Sequence, residues 1–177
     1  MPTSRRSFMA GTAGGWAAAS VAGLLTTPKS SAAQPGAKTV FELRPIGVVE
    51  IKNAENRLRI FEEFQEGLLG LKDWSHVLVF YWFDQNDTPE KRRILKVHPR
   101  GNKSNPPTGV FACRAPFRPN LIALSTCKIR SVDGGVVIVE AIDAFDGTPL
   151  LDLKPFTPQD APAADTVRVP GWARGGP

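Results

Sequence analysis

The run HVLVFYWF, residues 76–83, most constrains what this chain can fold into. Its β-branched and aromatic side chains fit a pleated surface and lose rotamer freedom in a helix, so it reads as a strand. Similar runs recur at FELRPIGVVEI (41–51), VFACR (110–114), LIALSTCKIRSV (121–132), VVIVEAIDAF (136–145) and LLDLKPF (150–156), with a shorter one at ILKVH (94–98). Turn chemistry separates them: Asn53 to Asn56, Asp133-Gly134-Gly135, and Asp146-Gly147-Thr148-Pro149. Only Phe61, Phe64, Leu68 and Leu69 recur at helical spacing, with Gly67 and Gly70 to end that helix and a short strand around Leu58 before it. No strand–long helix–strand unit occurs, and neither GxGxxG nor GxxxxGK[ST] is present, which argues against a parallel α/β nucleotide-binding fold. The expectation is an all-β domain with minor helix, a closed or nearly closed barrel, with a sandwich as the alternative.

Charge needs dividing before it is interpreted. The whole chain carries 22 basic and 17 acidic side chains. Ser4-Arg5-Arg6-Ser7-Phe8-Met9, a charge-free stretch from Ala10 to Leu25, and Ser31-Ala32-Ala33 follow the order of an export signal of the twin-arginine type, rich in Gly and Ala. An ordinary secretory signal or an uncleaved anchor are the alternatives. Cleavage after residue 33 removes Arg5, Arg6 and Lys29 and no acid, which leaves a net charge of +2. Whole-domain basicity therefore gives no argument for nucleic acid; only the cluster over 91–103, with Lys91, Arg92, Arg93 and Lys96, offers cations for phosphate, and it is equally a solvated face. The organisation read from the chain is a twin-arginine signal peptide over 1–33, a linker over 34–42, the barrel domain over 43–160 and a loosely ordered tail over 161–177, with Trp172 able to dock. This organisation places the protein in the periplasm, or in the cytoplasm if the signal is unused.

Cys113 and Cys127 form no CxxC and have no histidine at ligand spacing, so no metal site is expected. They either pair in an oxidising compartment or remain two thiols. In GVFACRAPFRPNLIALS (109–125), Pro116 and Pro119 stiffen a segment carrying Arg114 and Arg118. A guanidinium held in this way suits a carboxylate or phosphate, and equally well locks a turn.

IGVVE (46–50), EGLLGLKDWSHVLVFYWF (66–83), HPRG with GVFACRAPFRPNLIALS (98–101 and 109–125) and DAFDGTPLLDLKPF (143–156) occur in one order. Together they resemble the TsaA-like family, whose TrmO branch methylates N6-threonylcarbamoyladenosine in tRNA with S-adenosylmethionine. The resemblance implies a single β-barrel, a homodimer, and a methyl donor bound near the Arg-Pro-Asn loop. On that reading Arg118 holds the donor's carboxylate, Asn120 reads an adenine edge or ribose hydroxyl, Asp146 and Asp152 accept from hydroxyl or amine groups, and Arg114 and Thr148 are further contacts to the donor. His76 and Asp146 become the candidate catalytic groups, and Glu66, Ser75, Arg100 and Lys154 the candidate contacts to the acceptor. The structural alternatives are an Arg118 ion pair with Asp146 or Asp152, a hydrogen-bonded His76, and an Asp146–Pro149 turn selected for backbone shape.

The chain departs from the family's ATRSPxRPNPIGLS pattern. Cys113, Ala115, Leu121 and Ala123 stand in place of Thr, Ser, Pro and Gly, while both arginines and Asn120 are kept. The pocket is expected to persist in outline with altered detail. An export signal fits poorly with a tRNA substrate, which leaves a small-molecule acceptor, or an exported binding domain without methyl transfer, as further expectations.

Overall fold

The computed structural model describes residues 40–174; the expected signal segment lies outside them. Phe41–Pro177 forms one compact unit. Its strands are β1 (Gly47–Lys52), β2 (Glu55–Ile60), β3 (His76–Trp82), β4 (Lys96–Val97), β5 (Thr108–Gly109), β6 (Ile122–Asp133), β7 (Val136–Val139) and β8 (Pro149–Pro155). Six of them close into a barrel in the order β1-β2-β7-β6-β3-β8, every pair antiparallel. The pairing of Gly47 with Leu150 and Val48 with Pro149 joins β1 to β8 and decides for the barrel over the sandwich.

Alternation produces the core. Along β3, Val77, Val79 and Tyr81 are buried while the residues between them are half-exposed. Val49, Leu58, Val137 and Leu150 reach the same interior from other strands. Burying one such aliphatic side chain contributes about 1.5–3 kcal/mol. Asn53 (φ 51°) and Ala54 (φ 61°) turn β1 into β2, and Gly134 (φ 51°) and Gly135 (φ 77°) turn β6 into β7, the geometry the Asp-Gly-Gly sequence predicts. Gly47 has a steric role: a Cβ there would collide with the carbonyl oxygen of Arg59 on the paired strand.

Several sequence expectations need correction. The segment over 61–69 is a 3-10 helix, Glu62–Leu68, with Gly70 left-handed at φ 83° beyond it. VFACR is not a strand: Val110–Ala112 forms one 3-10 turn after the two-residue β5. The Val110 amide still donates to the Leu95 carbonyl, but the carbonyls of Val110 and Cys113 accept from Arg118 and not from a neighbouring strand. VVIVEAIDAF pairs only as far as Val139; the chain then leaves the sheet to form a wall of the site described below. ILKVH contributes only the two residues of β4, paired with β5 outside the barrel. One α-helical turn, α1 (Pro89–Arg92), is capped by Thr88, whose hydroxyl accepts from the Lys91 amide.

Candidate functional site

The loop from Cys113 to Leu121 is held by guanidinium groups bonded to carbonyls. Arg118 donates from Nη1 to the carbonyl oxygens of Val110 (2.7 Å) and Cys113 (3.1 Å) and sits over the ring of Phe111. Arg92 of α1 donates from Nη1 to the carbonyl oxygen of Pro119 (2.7 Å) and from Nε to Asp87 (2.7 Å), with its guanidinium over Trp82. Its hydrogen bond holds the Asp87 carboxyl below the usual range. Leu121 then buries its side chain completely with φ at +53°. Proline, fixed near −65°, cannot take that conformation, so the Leu at this position carries the backbone along a path the proline of the family pattern excludes.

This loop forms one side of two adjoining cavities at the C-terminal end of β3. The larger, about 310 Å³, runs from Trp82 through Asn86 to Ile142–Phe145. The smaller, about 220 Å³, lies between Cys113, Arg118 and Leu124. Tyr81, Phe83, Arg114 and Asp143 border both. Arg114 is exposed and has no hydrogen bond or ion pair among the described residues. Its charge is therefore available to a ligand in either cavity, unlike that of Arg118.

Tyr81 anchors the site from below. Its hydroxyl donates to the Asp143 carbonyl at 2.6 Å and lies 3.2 Å from the Ser125 hydroxyl. Burial pushes the phenol's pKa up, and the hydrogen bond with Ser125 opposes this. Phe83 meets the Tyr81 ring edge-on, with centroids 5.8 Å apart. The site thus offers a cation, an aromatic floor, and the carbonyl and carboxylate of one aspartate, the complement required by a zwitterionic ligand with a planar ring.

The structure brings Arg114, Arg118 and Thr148 to these cavities, with Thr148 buried in the wall of the larger. Asp146 turns away, accepting from the Ile51 amide at 2.7 Å, while Gly147 donates to the Val49 carbonyl and Val49 to that of Thr148. This is the backbone-shape role the sequence left open. Asn120 is exposed within the loop and lines neither cavity. Asp152 and Lys154 pair with each other at 2.7 Å, in register with Phe80 and Leu78 on the outer face of the barrel. Arg118 pairs with neither aspartate; its partners are carbonyls. His76 begins β3, about 20 Å along the strand from Trp82 at the usual rise per residue. Its Nδ1 lies 2.9 Å from the Ser75 hydroxyl and its ring tilts against Phe156. Glu66 is exposed on the 3-10 helix, where its carbonyl accepts from Leu69. Arg100, left-handed at φ 59°, lines a third cavity that also takes in Ala112–Phe117 of the loop.

Sequence reasoning missed Tyr81, Ser125, Asp143 and Arg92. Tyr81 was read as one more apolar strand residue. Asp143 stands three positions before Asp146 in the quoted DAFDGTP segment, a spacing that marks a second acidic position without showing which of the two faces a cavity.

The family profile described as the tRNA-methyltransferase O N-terminal domain matches residues 38–161. The chain belongs to this family. It is 48% identical over 118 residues to a probable S-adenosyl-L-methionine-binding protein of Methanocaldococcus jannaschii, covering 67% of this chain and 94% of that one. It is 39% identical over 100 residues to a tRNA (adenine(37)-N6)-methyltransferase of Mus musculus, covering 56% of this chain and 22% of the mouse protein. The crystal structure of TrmO from Pseudomonas aeruginosa superposes with a TM-score of 0.61 at 29% identity over 78% of this chain and 65% of that one. The barrel is thus shared with the solved TrmO structure, and the chain spans only part of the longer relatives.

Proposed function

We propose that this TrmO-type chain binds S-adenosylmethionine in the two cavities beside Tyr81 and transfers its methyl group to a nitrogen of an adenine-class acceptor, as the name of the mouse relative describes for that protein. The observation that carries the reading is Arg114, a guanidinium without a protein partner among the described residues at the border of both cavities. The site's chemistry fits the donor. Arg114 suits its carboxylate, and the aromatic surfaces of Tyr81, Trp82 and Phe83 suit its adenine and sulfonium. When bound, S-adenosylmethionine supplies an electrophilic methyl group. The protein supplies the rest: Arg114 fixes one end of the ligand, Tyr81 fixes Asp143, and the Asp143 carboxylate takes the proton that a nitrogen acceptor sheds. This assignment gives Asp143 the role first expected of His76 or Asp146.

The archaeal relative's name mentions binding alone, and Ala115, Leu121 and Ala123 alter the loop, which favours as a second reading a binding domain without transfer. Arg5-Arg6 and the segment after them support export through the twin-arginine route, and the exposed Leu69 and Trp74 support a homodimer. The test is calorimetry with S-adenosylmethionine, followed by transfer of labelled methyl to unmodified and threonylcarbamoylated tRNA. Donor binding with no transfer selects the second reading, and absence of donor binding overturns both. Cell fractionation reads the export proposal, and sedimentation the dimer.

A further inference from the structure

The third cavity is the largest of those described, about 710 Å³, and it shares the Cys113–Pro116 stretch of the loop with the donor cavities. Its second wall comes from Val169, Pro170, Trp172 and Ala173. Those residues lie beyond the family match, which ends at 161. The cavity is therefore a construction of this chain's own tail, which folds back through single 3-10 turns at Ala164–Thr166 and Gly171–Ala173. The sequence marked Trp172 as able to dock; the structure sets it across from Phe117 and the Pro99–Gly101 turn.

The lining has a definite chemical bias. It holds two large aromatic side chains, Trp172 and Phe117, together with Arg100, Arg114 and His98, and no carboxylate. His98 is fixed by a 2.8 Å hydrogen bond between Nδ1 and the carbonyl oxygen of Asn105. Pro99, buried, and Pro116 and Pro170 in the wall limit the motion of its backbone. A rigid, aromatic, positively charged hollow of this size selects a planar ring that carries an anionic group. Arg114 lies at the wall shared with the donor cavities, so a ligand here sits next to the donor.

We propose that residues 162–174 complete a binding site for a mononucleotide-class ligand, with its base against Trp172 and its phosphate toward His98 and Arg100. As an acceptor site it rests on the methyl-transfer reading; as a binding site it does not.

The experiment uses the full chain and adenosine 5′-monophosphate as probe, titrated by calorimetry with and without saturating S-adenosylmethionine. Adenosine and inorganic phosphate separate the ring and charge contributions. The expected result is binding of the monophosphate in both conditions, with adenosine and phosphate each weaker. Trp172→Ala weakens it by about 5- to 100-fold, the range of a lost stacking partner, and Trp172→Phe stays within about 3-fold by keeping a ring. Val169→Glu, at an exposed tail position, brings a carboxylate into the wall and weakens it similarly, should Trp172→Ala fail to fold. S-adenosylmethionine affinity is unchanged in all three. The proposal is overturned if wild type does not bind the monophosphate, if Trp172→Ala and Val169→Glu bind it as wild type does, or if S-adenosylmethionine displaces it competitively. Failure of S-adenosylmethionine to bind wild type removes the donor reading alone and leaves the Trp172 comparison to decide this one.

Discussion

The Arg118 guanidinium and the Val110 carbonyl oxygen are joined by a 2.7 Å hydrogen bond that ties the two ends of the Arg-Pro loop together. The same nitrogen reaches the Cys113 carbonyl at 3.1 Å. A charged donor shared between two carbonyls makes this arginine an internal brace, even though it borders a cavity. Arg118→Ala should therefore lower stability by about 1.5–3 kcal/mol, the range for hydrogen bonds to charged groups, with ligand affinity falling as a consequence. Thermal and urea unfolding check it. Full stability with lost ligand affinity would show instead that Arg118 is a ligand contact.

Arg114 should behave in the opposite way. It has no partner among the described residues whose loss would cost stability. Arg114→Ala is expected to leave the unfolding midpoint unchanged and weaken S-adenosylmethionine binding by about 10- to 100-fold. Calorimetry beside a thermal melt separates the two arginines.

Tyr81→Phe removes the hydroxyl that holds the Asp143 carbonyl while keeping the ring in the core. The expected stability cost is about 1 kcal/mol, with a larger relative effect on donor affinity as the 142–145 wall loosens. Because burial raises the folded phenol's pKa above 10.0, its contribution is complete below the unfolded value and is lost as pH rises through the folded one. Wild type should thus lose stability above about pH 10 more steeply than Tyr81→Phe, measured by urea unfolding across pH.

The two thiols differ in environment. Cys127 lies in the barrel interior, and burial pushes its thiol up to about 11 from 9.0. Cys113 is half-buried on the loop. Iodoacetamide at pH 8 should label one thiol, Cys113, in the native protein and both in urea. Mass spectrometry of the labelled peptides reads the outcome, and equal native rates would contradict the placement of Cys127.

Gly47→Ala places a methyl group against the Arg59 carbonyl where β1 crosses onto β2. Neither atom belongs to a flexible side chain, so the backbone must shift. A loss of about 1–3 kcal/mol is expected, visible as a lowered urea midpoint with the barrel's circular dichroism retained.

The barrel was legible because its evidence is local. The alternating burial along the 76–82 run follows from periodicity two, and the Asp-Gly-Gly turn from glycines that take positive φ. The short pieces were not, because β4 and β5 are two residues each, too brief for alternation to show. The site was half legible. Prolines beside arginines marked the loop that borders both cavities, yet sequence cannot show that the Val110 and Cys113 carbonyls already occupy Arg118 while Arg114 has no such partner among the described residues. Tyr81 is hidden for a related reason: a tyrosine on an inward strand position looks like core, and its hydroxyl's partners, Ser125 and the Asp143 carbonyl, stand 44 and 62 residues away in sequence.

A ring of six strands has no first or last member. Each of the six has a neighbour on both sides, which shortens the stretches of bare amide and carbonyl that a foreign strand could extend and guards such a domain against growing into fibres by strand addition. Around the ring, a partner is met mainly through side chains and loops.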